Sequence, residues 1–276
     1  MDPNQPSQGD SLDELAVWWC YFGIFYKQIN RRQREIRYNN ILTGDDRVRE
    51  FLHGHWERIF NRMRMTRECF VRFSTILEGS GRLRLSRAVS VEEQLMIFLF
   101  VVGHGASNRN SQETWQRLGS TISKYFGLVL EAIFNMSGEY IQPPDMNNVY
   151  HTIRYNNRFY PYFQGCVGAI DGCHVSACVS GKYYLVDSGY ANRGCFLAPY
   201  CGQNYHLTDR RRRGGDKKKE QFNYRHASLH NAIEMTFGIW KKRFPILKSM
   251  HQFPLDKQAM IPIACAVVHN FIRMLV

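Results

Sequence analysis

The sequence predicts an α+β fold, a helical half followed by an α/β half, and three observations carry that prediction. Residues 47–134 repeat apolar side chains at helical spacing behind Ser and Thr start signals. Residues 165–190, GCVGAIDGCHVSACVSGKYYLVDSGY, hold two apolar runs that each stop at an aspartate: Val167 to Ile170 leads into Asp171, and Tyr183 to Val186 into Asp187. Such runs, rich in β-branched and aromatic residues and closed by Gly172 or Ser188-Gly189, read as short buried strands. Residues 225–244, RHASLHNAIEMTFGIWKKRF, then return to helical spacing.

A chain of 276 residues suffices for one or two domains. Thirty-six Lys and Arg against 24 Asp and Glu leave a formal charge of +12. That surplus favours a polyanionic partner, nucleic acid before membrane surface. The eight cysteines form no CxxC pair, so neither a zinc site nor a disulfide framework is indicated, and reduced core thiols are expected. The longest apolar run, Leu95 to Val102, is too short to span a bilayer, and the opening MDPNQPSQGDSLDE is acidic where a secretory signal would be basic. No membrane association is expected, and the chain reads as intracellular and soluble.

Taken in order, residues 1–11 form a polar, Pro-rich tail, expected to be disordered. As a helix, residues 12–29 are apolar nearly all round and ask for burial on several sides; an interfacial anchor is the competing reading. Between 47 and 77, Phe51, Trp56, Ile59, Phe60, Met63, Phe70, Phe73, Ile76 and Leu77 are core positions, with Thr66 a helix start. Ser90 and Glu93 make a capping box for a helix ending at Gly103 or Gly105. Two helices follow, 111–118 and 120–134, each with a Ser N-cap. With Ser123, Lys124 and Tyr125 near the start of the last, the three are helix-turn-helix-like, and a plain bundle explains the same pattern. The helical domain is placed at 12–140, with a linker over 141–159 that begins IQPPD.

The second domain is placed at 160–276. Within it, residues 209–223 carry Arg210, Arg211, Arg212, Arg213, Lys217, Lys218 and Lys219 on a Gly-hinged loop. Long basic side chains there suit DNA phosphates; a nuclear-import signal and a plain solvated loop compete. In the following helix Leu229, Ala232, Ile233, Phe237, Trp240 and Phe244 make a stripe expected to be buried. Glu234 sits on its border, where a carboxylate needs an Arg, a Lys or a divalent metal as partner.

Asp171 and Asp187 at strand ends, with Glu234 on the helix, suit hard divalent cations such as Mg²⁺ or Mn²⁺. Two such ions would flank a phosphodiester, one activating the attacking oxygen and one stabilising the leaving oxygen. Ordinary Asp-Gly and Asp-Ser-Gly turns explain each aspartate taken singly. His226 and His230 share the Glu234 face through i, i+4, i+8 spacing, which leaves a transition-metal site as an alternative, without the HExxH signature.

VGAIDGCHV (167–175), GKYYLVDSGYANRGCFLAPY (181–200), FNYRHASLHNAIEMTFGIWKKRFPIL (222–247) and PIACAVVHNFIRM (262–274) together resemble the plant PIF/Harbinger transposase-derived nucleases, a branch of the DDE superfamily endonucleases. The helical half resembles the helix-turn-helix region that precedes the nuclease domain in that family. The resemblance implies an RNase H-like fold, a catalytic, metal-binding triad on Asp171, Asp187 and Glu234, DNA as substrate and the nucleus as location. It also implies a separately encoded Myb-like DNA-binding partner.

One departure stands out. In the family two further strands and a helix separate the first two aspartates, whereas here only residues 172–186 lie between them. A block near residues 178–180 is missing relative to that pattern, so the RNase H-like domain is expected to be truncated. If the two strands are parallel, the link between them is at the lower limit of ~10 to 12 residues for a crossover. If they form a hairpin instead, Asp171 and Asp187 face each other and repel unless a cation intervenes.

Overall fold

The computed structural model describes residues 16–23, 25–26, 40–170, 181–192, 194–202 and 216–275. The chain divides into two compact units, 1–41 and 42–276. In the first, α1 is helical at 16–23 and 25–26. Its aromatic side chains are exposed, Trp18 at 73 % and Trp19 at 74 %, against the burial on several sides that the sequence suggests. The described residues of that unit supply no second element for them to pack on. The tail at 1–11 lies outside the described residues.

The second unit begins with α2 (Gly44–His53), α3 (Trp56–Met63), α4 (Arg67–Gly79), α5 (Val91–His104), α6 (Asn108–Trp115) and α7 (Gly119–Phe134). Side-chain oxygens that accept from orphan amides start several of them: Thr43 for α2, Thr66 for α4, Ser90 for α5 and Ser107 for α6. Two of the expected starts move. The cap of α6 is Ser107 rather than Ser111, and α7 begins behind Leu118 with no side-chain cap. Ser90 accepts from the Glu93 amide as expected, but the Glu93 carboxylate does not close the box. It is buried and pairs with Arg117 through hydrogen bonds of 2.8 and 2.9 Å. Gly105 ends α5 in the left-handed region, φ +58°.

The centre of this unit is α5, whose residues from Leu95 to Val102 are all buried. An all-round apolar helix is stable in water only when other helices surround it, and α2, α3, α4, α6 and α7 do so. The C-terminal helix α11 (Leu255–Leu275) joins the same core through Ile261, Ala264, Cys265, Val268 and Phe271. By length and composition α11 also passes as a membrane span, yet this face of it is packed among the other helices. Sequence assigns α11 to the second half, and it packs into the core of the first. Tyr125, a candidate DNA-reading residue on α7, is buried and meets Ser86 through a 2.8 Å hydrogen bond, so it is not available to a groove.

After short helices α8 (Ser137–Tyr140) and α9 (His151–Arg154) come β1 (Cys166–Ala169), β2 (Tyr183–Leu185) and β3 (Phe196–Leu197). They form one sheet in the order β1-β2-β3, and both pairings are parallel. The hairpin alternative is thereby excluded. Helix α10 (Lys217–Arg243) and a 3₁₀ turn (Pro245–Leu247) lead into α11. Of the cysteines, Cys69, Cys166 and Cys265 are free and buried, as expected of core thiols. Cys195 departs from that expectation, being disulfide-bonded.

Candidate active site

Parallel strands deliver their carboxyl ends to one edge of the sheet, and the residues just beyond them make the site. Ile170 follows β1, Asp187 lies two residues past β2, and Pro199 two past β3. Helix α10 runs beside this edge. Asp187, Ser188 and Pro199 from the strand ends and Tyr224, His230 and Glu234 from the helix line one cavity of about 510 Å³.

The face that α10 turns toward the sheet is polar. Its buried residues are Asn223, His226 and His230, spaced to fall on one side of the helix. Asn223 exchanges two hydrogen bonds with the Tyr200 backbone, 2.8 and 2.9 Å. His226 Nε2 meets the Leu197 carbonyl at 2.9 Å, and His230 Nε2 meets the Ile170 carbonyl at 3.2 Å. Carbonyl oxygens at strand ends only accept, so the helix surface that covers them must donate. The two imidazoles stack with centroids 6.0 Å apart. Burial lowers the His226 pKa, keeping that ring neutral at pH 7.

This register corrects the sequence reading in two ways. The apolar stripe expected to be buried is half open: Ala232 is exposed and Leu229, Ile233 and Phe237 are only partly covered. Glu234, expected at a costly apolar border, has a side chain 61 % exposed, and its Oε1 lies 3.6 Å from His230 Nδ1. Because Nε2 of both histidines is engaged by a carbonyl, that nitrogen is not offered to a transition metal.

Asp187 and Glu234 are thus brought to one cavity. Asp187 is exposed and uses Oδ1 to accept from the Gly189 amide at 2.8 Å, so the turn reading of this residue holds. Asp171 lies outside the described residues; its neighbour Ile170 is the residue bonded to His230. Among the described residues no group of three or more His, Cys, Asp or Glu clusters as a metal site. Arg210, Arg211, Arg212 and Arg213 also lie outside the described residues. Lys217, Lys218 and Lys219 are exposed, but on the first turn of α10 rather than on a loop. Asp216 caps that turn by accepting from the Lys218 amide at 2.9 Å and offsets the unfavourable placing of cations at a helix start.

Sequence reading also passed over Arg158. Its guanidinium lies 4.4 Å from the Tyr224 ring and donates to Ser228 at 2.6 Å, and both of those residues line the cavity. No spacing rule marks it, because it reaches the rim from the loop after α9.

Residues 164–270 match the DDE superfamily endonuclease family. The match supports that superfamily for the sheet, α10 and most of α11. Residues 39–135 match a second family, a domain of unknown function (DUF8040). No curated protein matches the chain, and no solved structure does. Both carboxylates of the cavity fall inside the DDE superfamily endonuclease match.

Proposed function

We propose that this chain carries a Harbinger-type, transposase-derived DDE endonuclease site that cleaves DNA phosphodiesters with Mg²⁺ or Mn²⁺. The observation that carries the reading is the meeting of Asp187 and Glu234 in one open cavity at the carboxyl edge of a parallel sheet. Asp171, Asp187 and Glu234 would hold the ion or ions; the donor set is oxygen, which suits hard cations. Bound there, a divalent cation lowers the pKa of the attacking water and neutralises charge on the departing oxygen.

The chain's own residues do the rest. Asn223, His226 and His230 lock α10 to the strand ends, which fixes the height of Glu234 over the sheet. Arg158, on the cavity rim, and Lys217, Lys218 and Lys219, on the exposed first turn of α10, supply positive charge for a DNA backbone, and Arg210 to Arg213 extend that set in sequence. A Myb-like partner protein would supply sequence specificity, and the nucleus would be the place of action.

A specific observation favours a second reading, a non-catalytic DNA-binding remnant. Among the described residues β1 pairs only with β2, and an apolar cavity of about 370 Å³ runs beside it, lined by Val167, Gly168, Leu229 and Ile233. An internal deletion between the first two aspartates would leave β1 with such an open edge. Cleavage of labelled duplex DNA by the purified chain decides between the two. Metal-dependent nicking that disappears in Glu234→Gln supports the endonuclease; DNA binding without nicking in either metal supports the remnant.

A further inference from the structure

From Met146 to Ile170, a stretch that begins within the linker assigned from sequence, the chain holds no Asp or Glu. Tyr150, Tyr155, Tyr160 and Tyr162 are interleaved there with His151, Arg154 and Arg158. All four tyrosines are exposed. Arg154 and Arg158 are exposed as well, and neither forms an ion pair with a carboxylate among the described residues.

Two of these residues lean on α10. The Arg158 guanidinium lies over the Tyr224 ring and donates to Ser228, and Tyr224 and Ser228 line the cavity that holds Asp187 and Glu234. Four residues on, Tyr162 lies under the guanidinium of Arg225, which is 4.0 Å from the ring centroid. Tyr162 is still 61 % exposed, so part of its ring faces solvent. Aromatic rings and guanidinium planes on a surface without negative charge suit a nucleic-acid strand in two ways: cations meet its phosphates, and flat groups meet its base faces. In a duplex those faces stack on one another, so only an unpaired strand offers them to the rings. Surface cation–π pairs that merely steady a loop explain each contact singly, but they do not call for an acid-free stretch with four exposed tyrosines.

We propose that Arg158 and Tyr162, with Tyr224 and Arg225 of α10, bind a single-stranded DNA segment leading out of the cavity, with one base stacked on Tyr162. The inference rests on the reading of that cavity as a DNA site. It adds the state in which the DNA is held, unpaired next to the cavity rather than as an intact duplex.

The test is fluorescence anisotropy of the full chain with fluorescein-labelled oligo-dT and with a duplex of the same length, both in EDTA at one salt concentration. EDTA removes cation and turnover from the readout, so a chain that neither binds Mn²⁺ nor nicks DNA is tested all the same. Tyr162→Ala should weaken oligo-dT binding about five- to hundredfold, the loss of one base stack, and change duplex binding by less than about twofold. Tyr162→Phe, which keeps the ring, should keep the affinity. Where Tyr162→Ala does not fold, Tyr162→Leu takes its place, since it keeps apolar bulk without a π face. The proposal is overturned by an absence of oligo-dT binding, by an oligo-dT affinity that survives loss of the ring, or by equal losses on both probes.

Discussion

His230 and Ile170, sixty residues apart in the chain, meet through a 3.2 Å hydrogen bond from the imidazole Nε2 to the carbonyl oxygen. The bond joins the helix that carries Glu234 to the strand that leads into Asp171. In His230→Ala the Ile170 carbonyl keeps no donor among the described residues, a loss of about 1–3 kcal/mol that urea denaturation reads directly. His230→Gln, whose amide can donate, should recover part of it. Equal stability of His230→Ala and the parent chain would show that the tie carries no weight.

The pair Glu93 and Arg117 should respond unequally to truncation. The Glu93 side chain is 1 % exposed and that of Arg117 25 %. Arg117→Ala strands a buried carboxylate and should cost roughly 3–5 kcal/mol. Glu93→Ala leaves an arginine that still reaches the Ala88 carbonyl at 2.7 Å and solvent, so it should cost less, roughly 2 kcal/mol. Thermal melts of the two variants give the order.

How much of this was legible in the sequence varies with the kind of signal. Thr66 and Ser90 announce their helices because capping is a local, short-range chemistry, and both carboxylates of the cavity were readable because each ends or borders a periodic run. The buried face of α10 was not readable from hydrophobicity. Burial there is decided by the carbonyls at the strand ends, and only the spacing of Asn223, His226 and His230 hinted at a donor face. Parallel pairing of β1 and β2 depends on a long-range contact that neither strand encodes alone. The place of α11 in the helical core depends likewise on a partner surface far away in the chain.

That place has a consequence for folding. Phe271 of α11 packs against Phe73 of α4 with centroids 4.6 Å apart and the rings tilted by 38°, and both are buried. Phe271→Ala should cost roughly 3–5 kcal/mol and destabilise the helices of the first half with it. Far-ultraviolet and near-ultraviolet circular dichroism should lose signal in one coincident, lower transition. Two separated transitions, with only the later one shifted, would mean that α11 is not part of that core.

Acid should destabilise the fold through His269. Burial, reinforced by Arg243 and Arg273, lowers its pKa from 6.5 to about 4. The unfolded chain takes up a proton that the folded chain refuses, so stability is full above about pH 6.5 and falls as pH drops toward about 4. The loss at the acid end is on the order of 3 kcal/mol. Melting temperatures between pH 7 and 4 should fall less steeply in His269→Asn; buried His226 adds a slope of the same sign.

Asp187 and Glu234 are held to be two ligands of one cation, and calorimetric titration of Mn²⁺ into the purified chain, Asp187→Asn and Glu234→Gln reads this without DNA or turnover. Saturable binding by the parent chain that is lost or weakened at least tenfold in both variants, roughly 1.4 kcal/mol for each, is the expected result. Binding that persists unchanged in both variants, or that only one of them weakens, would contradict a shared ion.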